Sequence, residues 1–153
     1  QFDLDYAAAD QAYKNLQRQL HPDRFAQASD EDRELAEAHS ARLNEAITAL
    51  RSPLKRAGYW MELHGVRVLE EDQRMNDAAT MMEVMEVSEE IAEAEGQQRI
   101  DELAEQNAEK IRGVEAQLSG ILAQQDWGGA RTVVERLQML ERLGERLRDW
   151  RGP

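Results

Sequence analysis

At 153 residues, with 41% hydrophobic and 33% charged side chains, 5% aromatics and three prolines, the chain has enough apolar material for a core and the composition of long amphipathic helices, not of a sheet. A net charge of -12 argues against a nucleic-acid partner, and the lack of cysteine excludes disulfides, thiol nucleophiles and thiolate-held zinc or iron-sulfur clusters. No apolar run approaches the roughly 20 residues that span a bilayer and no secretory leader is visible. The expectation is therefore an all-α protein of a cytosolic or matrix-type compartment, with no membrane partner, no bound metal and no cofactor.

In chain order, "DYAAADQAYKNLQRQL" places Ala9, Tyr13, Leu16 and Leu20 at helical spacing behind Asp5 as N-cap. It stops at His21-Pro22, because proline supplies no helical N-H and restrains the residue before it. A second helix starts from Ser29 or Asp30, with Leu35, His39, Leu43, Ala46, Ile47 and Leu50 as its expected inward stripe. Two helices joined by so short a loop predict an antiparallel hairpin. Ser52-Pro53 then interrupts the pattern, and "LKRAGYWMELHG" is a short apolar segment closed by Gly65. Its Leu54, Tyr59, Trp60 and Leu63 offer material for an interdomain contact.

Residues 66–75 read as a linker, which divides the chain into an N-terminal domain over 1–65 and a C-terminal domain over 76–153. Three helical patterns follow. The first runs from about Asn76 to Glu95. The second carries Ile100, Leu103, Asn107, Ile111, Val114, Leu118 and Ile121 at alternating spacings of three and four, the narrow seam of bundle packing. The third begins near Asp126-Trp127 and carries Val133, Leu137, Leu140 and Leu147. Short connections make an up-down-up three-helix bundle the economical arrangement.

Two stretches carry functional information. Around His21-Pro22-Asp23, Lys14 and Arg18 lie four apart on the polar side of the incoming helix and Arg24 follows directly, a basic patch in an acidic chain. Taken by itself the triplet is a plain stop signal; with those neighbours it reads as a recognition loop, its Asp23 carboxylate free to pair with an arginine of another protein. In "TMMEVMEVSEEIAEAE", Val84, Val87, Ile91 and Ala94 cluster on the side assigned to the bundle core. Met82, Met85, Glu86, Glu89 and Glu93 fall on roughly the opposite side, with Met81 at its edge. Acidity is concentrated here: residues 70–95 hold ten acidic groups against one arginine. Methionine usually means core, but this helix already has a full inward stripe, so flexible thioethers flanked by carboxylates suit an adaptable partner surface. Met139 lies beside the seam of Leu137 and Leu140 and reads equally as an ordinary boundary residue.

On "YKNLQRQLHPDRF" and "LNEAITALRSPLKRAGYWMELHG" the N-terminal half resembles a J-domain, and the whole chain is similar to the HscB family of iron-sulfur co-chaperones. The resemblance implies a J-domain-like helical hairpin followed by a three-helix bundle. It implies that His21, Pro22 and Asp23, assisted by Lys14, Arg18 and Arg24, engage a seventy-kilodalton heat-shock chaperone of HscA or DnaK type and stimulate its ATPase. It further implies that Met81, Met82, Met85, Glu86, Glu89, Glu93 and Met139 contact the iron-sulfur scaffold protein IscU, in a bacterial cytosol. Two departures stand out. Nothing here corresponds to the family's short first helix ahead of the position of Phe2, which would leave part of the hairpin's apolar face uncovered. Leu20 stands where the family often has an aromatic.

Other classes find less support. His21, His39 and His64 sit on separate segments without metal-ligand spacing, and no nucleophile elbow, P-loop or dinucleotide fingerprint occurs, so an enzyme is not expected. A J-domain protein with a different client, or a helical interaction module whose triplet is merely a turn, remain as alternatives.

Overall fold

In the computed structural model the described residues are 2–67 and 77–152. They are helical throughout, as expected: α1 (Tyr6–Leu20), a 3-10 turn (Pro22–Phe25), α2 (Asp30–Arg51), α3 (Pro53–Leu63), α4 (Ala78–Glu93), α5 (Gln97–Ala123) and α6 (Trp127–Arg148). Most of the linker expected over 66–75 lies outside the described residues, as does Asn76. The chain divides into two units, Gln1–Tyr59 and Trp60–Pro153, the boundary falling inside α3.

In the first unit, Asp5 caps α1 by accepting from the Ala8 amide at 3.0 Å, and Ser29 caps α2 by accepting from Asp32 N at 3.1 Å. Three polar cross-links then zip the helices antiparallel. Arg51 pairs with Asp10 at 2.8 Å, Tyr13 Oη donates to Asn44 at 2.8 Å, and Ser40 Oγ reaches Gln17 Oε1 at 3.4 Å. This polar seam explains where the inward faces differ from expectation. Gln17 takes the place assigned to Leu16, which is exposed. On α2 the buried positions are Ala36, Ser40 and Ile47, whereas Leu35, His39 and Ala46 are exposed. Small Ala36 and Ser40 occupy the stripe where larger side chains were expected, and the hydrophobic pattern alone pointed one residue away. Nearby, the near-buried Arg56 guanidinium lies 4.6 Å from the Phe2 ring centroid and donates to Tyr6 Oη at 3.1 Å.

The second unit has its main packing between α5 and α6, through Ile100, Leu103, Val114, Leu118 and Leu122 on one side and Val134, Leu137, Leu140, Leu143 and Leu147 on the other, all buried. Val134 holds the core position expected of Val133, which is half-buried. Buried Asn107 donates to the Leu140 carbonyl at 2.9 Å. Gly144 allows that approach, because a Cβ there would stand 3.1 Å from Asn107 Nδ2. Lys110 to Glu83 and Arg99 to Glu90 join α5 to α4 antiparallel. Arg136 to Thr80 and Arg146 to Ser88, both at 2.8 Å, join α6 to α4 in the parallel sense. The result is the expected up-down-up bundle. At the start of this unit, Gly65 (φ 75°) closes α3 in a conformation that glycine adopts without a Cβ penalty, and His64 lies between Trp60 and Trp127, with ring centroids 5.3 and 5.0 Å away.

Candidate functional site

The two candidate surfaces lie on different units. On the first, α1 ends because Pro22 cannot continue it, and His21 turns to extended backbone (φ -60°, ψ 129°). The His21 ring closes the turn: its Nδ1 accepts from the Asp23 amide at 3.3 Å and lies 3.4 Å from Asp23 Oδ2. The Asp23 side chain is nonetheless 91% exposed, so its carboxylate stands in water at the loop tip. Arg24 folds back, its Nη1 donating to the Arg18 carbonyl at 2.9 Å, which satisfies an orphan acceptor of the last helical turn.

An open depression of about 450 Å³ is lined by Tyr13, Lys14, Gln17, Arg18, His21 and Arg24. Four expected site residues, Lys14, Arg18, His21 and Arg24, thus share one concavity, while Pro22 and Asp23 form the adjoining turn. Lys14 and Arg18 make no ion pair among the described residues, so their charge is available to an acidic partner. Tyr13 and Gln17 were not singled out as site residues; they anchor the wall through Asn44 and Ser40. Their signal in the sequence was a spacing of four alongside the pair Lys14 and Arg18.

On the second unit, α4 starts at Asp77, whose carboxylate accepts from Thr80 N at 3.2 Å and is also bonded to Thr80 Oγ1. The Thr80 hydrogen bonds hold the Asp77 carboxyl below the ordinary aspartate range. Ile91 and Ala94 are buried with Ile100, Leu103, Leu143 and Leu147, and Val84 and Val87 pack against that cluster, as the inward stripe predicted. The other side presents Met81, Met82 and Met85 at 42%, 64% and 59% exposure, with Glu86, Glu89 and Glu93 exposed beside them. Met139 on α6 is half-buried.

The carboxylates of this helix divide in two. Glu83 is paired with Lys110 at 2.7 Å and Arg136 at 2.9 Å, and Glu90 with Arg99. Glu86, Glu89 and Glu93 make no ion pair among the described residues. Burial raises the Glu83 pKa, but Lys110 and Arg136 outweigh it and leave the group below the ordinary glutamate range. Thr80 and Glu83 were missed by the sequence reading, although they extend the inward pattern Val84, Val87, Ile91, Ala94 by a further turn. Their polarity hid them.

One chain thus carries a helical hairpin with a basic concavity at a His-Pro-Asp turn and a three-helix bundle with an apolar and acidic outer face. The chain belongs to the HscB co-chaperone family. The family model described as the HSCB C-terminal oligomerisation domain matches residues 76–148. The chain is 39% identical over 145 residues to the co-chaperone protein HscB homolog of Burkholderia mallei, covering 93% of this chain and 83% of that protein. To the human iron-sulfur cluster co-chaperone protein HscB it is 29% identical over 147 residues, 96% of this chain and 63% of the human protein. The crystal structure of human co-chaperone protein HscB superposes with a TM-score of 0.90, covering 96% of this chain and 75% of that one.

Proposed function

We propose that this chain stimulates the ATPase of a seventy-kilodalton heat-shock chaperone of HscA or DnaK type and delivers the iron-sulfur scaffold protein IscU to it, in a bacterial cytosol. In this reading residues 1–65 form the chaperone-recruiting domain and residues 76–153 the client-binding domain. His21, Pro22 and Asp23 engage the chaperone, with Lys14, Arg18 and Arg24 supplying electrostatic attraction. Met81, Met82, Met85 and Met139 supply apolar contact to the scaffold, and Glu86, Glu89 and Glu93 orient it.

The observation that carries the reading is the pairing, on one chain, of a basic concavity at the His21-Asp23 turn with an exposed thioether face on α4 whose flanking carboxylates are unpaired among the described residues. Burying three methionines contributes about 1.5 to 3 kcal/mol each in gross terms, a large apolar share of the driving force that must also offset the cost of association. Carrying client and ATPase activator on one molecule raises the effective concentration of client at the chaperone. No catalytic group of the chain itself takes part in ATP hydrolysis.

The test is the steady-state ATPase rate of the chaperone with and without this chain. The wild-type chain raises the rate, and Asp23→Asn abolishes the increase while leaving the helical circular dichroism unchanged. Equal stimulation by Asp23→Asn would reduce the triplet to a turn.

A further inference from the structure

The described methionines differ widely in exposure, with Met81 at 42% between the extremes. Met61 has 0% exposure and Met139 is half-buried, whereas Met82 and Met85 stand out in solvent more than any other described methionine. Oxidation of a thioether follows the oxidant's access to sulfur and converts a flexible apolar side chain into a polar one. Because Met82 and Met85 project from α4 and contribute nothing to the cluster of Ile91, Ala94, Ile100, Leu103, Leu143 and Leu147, that change leaves the bundle core as it is.

We propose that Met82 and Met85 form a peroxide-sensitive modification site whose oxidation switches client docking off. The inference rests on the reading of α4 as the scaffold-binding face. In the step itself the sulfur lone pair attacks one oxygen of hydrogen peroxide and the S-O bond forms as the O-O bond breaks. The departing hydroxide takes the proton from the transferred oxygen and leaves as water. Sulfur is oxidised by two electrons to the sulfoxide and peroxide is reduced.

The surroundings make the product incompatible with a buried interface. Glu86 and Glu89 follow Met82 and Met85 by four residues, one turn further along this exposed face of α4, and as carboxylates they accept and do not donate hydrogen bonds. A sulfoxide oxygen beside them gains no donor from either carboxylate, so docking an apolar surface over it strips its water without replacement. Since sulfoxides are reduced by thiol-dependent methionine sulfoxide reductases, the change is reversible and acts as a switch.

The test uses the full chain, treated with hydrogen peroxide until peptide mass spectrometry shows sulfoxide at Met82 and Met85 with Met61 still reduced. Calorimetric titration with apo IscU is then compared for untreated, oxidised and reductase-repaired protein, alongside the variant Met82→Leu, Met85→Leu, which lacks both thioethers and keeps Met81, measured before and after the same treatment. The expected result is binding about tenfold or more weaker after oxidation, recovered on repair, with unchanged circular dichroism. The leucine variant serves as its own reference: whatever its untreated affinity, the same peroxide treatment leaves that affinity unchanged. Undiminished binding by the oxidised wild type, or an equal loss in the peroxide-treated leucine variant, overturns the switch while leaving the scaffold assignment intact. Failure of the untreated, folded chain to bind overturns both.

Discussion

The guanidinium of Arg136 on α6 lies 2.9 Å from the carboxylate of Glu83 on α4, and its second nitrogen donates to Thr80 Oγ1, one turn earlier on the same helix, at 2.8 Å. Lys110 of α5 completes the cluster at 2.7 Å from Glu83, so one carboxylate joins three helices. α4 fully buries only Thr80 and Ile91 along its length, so this polar clamp adds to the partly buried Val84 and Val87 in holding its N-terminal half, where the methionines sit.

Replacing Glu83 by Gln should therefore destabilise the bundle. The Arg136 side of the pair is 31% exposed and the Lys110 side 40%, so solvent screens part of each interaction. The expected loss is about 1 to 2 kcal/mol, in the range of hydrogen bonds to charged groups and above that of a surface ion pair. Denaturant unfolding followed by circular dichroism measures it, and an unchanged midpoint would mean that the clamp contributes nothing.

The same cluster fixes a pH dependence. Glu83 is held below its ordinary value of 4.5 in the folded chain, so its contribution to stability is fully present above that value and is lost as pH falls through the folded one. Asp77 is shifted the same way by its bonds to Thr80. The stability difference between wild type and Glu83→Gln should hold constant from neutrality down to the ordinary glutamate range and shrink below it. A difference that stayed constant into strong acid would place the effect elsewhere.

Chaperone recruitment and client binding should respond to different substitutions. Lys14→Glu reverses a charge lining the concavity beside His21. It should weaken chaperone stimulation about tenfold at low ionic strength, less at high salt, and leave scaffold affinity unchanged. An equal effect on both activities would contradict the assignment of Lys14 to one of them.

Scaffold binding should show the opposite balance of forces. Glu86, Glu89 and Glu93 are exposed and screened, so raising salt from about 0.05 to 0.5 M should weaken binding by no more than about tenfold. Titrations across that series check it; complete loss at high salt would make the carboxylates, and not the methionines, the main source of affinity.

Much of this was legible in the sequence because the bundle helices follow the three-four spacing closely. Ile100, Leu103, Val114 and Leu118 were expected inside and are buried there. The outward turn of Met82, Met85 and Glu89 followed from the same periodicity on α4. The hairpin was harder to read. Apart from Tyr13, which lies on the expected stripe, its seam is built from Asp10, Gln17, Ser40, Asn44 and Arg51, polar residues that hydrophobic periodicity assigns to solvent. The expected stripe on α2 therefore settled on Leu35 and His39, one position from the small residues that are buried. Glu83 escaped notice for the same reason. Its partners Lys110 and Arg136 lie 27 and 53 residues away, and pairing at such separations is fixed by tertiary packing alone.

The central claim is that the α4 face binds the iron-sulfur scaffold through its exposed thioethers. Calorimetric titration of this chain with apo IscU, beside a Met82→Ala, Met85→Ala variant of unchanged helicity, tests it most directly. Roughly micromolar binding that is lost in the variant is the predicted result. Equal affinity in wild type and variant, or no binding by the folded wild-type chain, would contradict it.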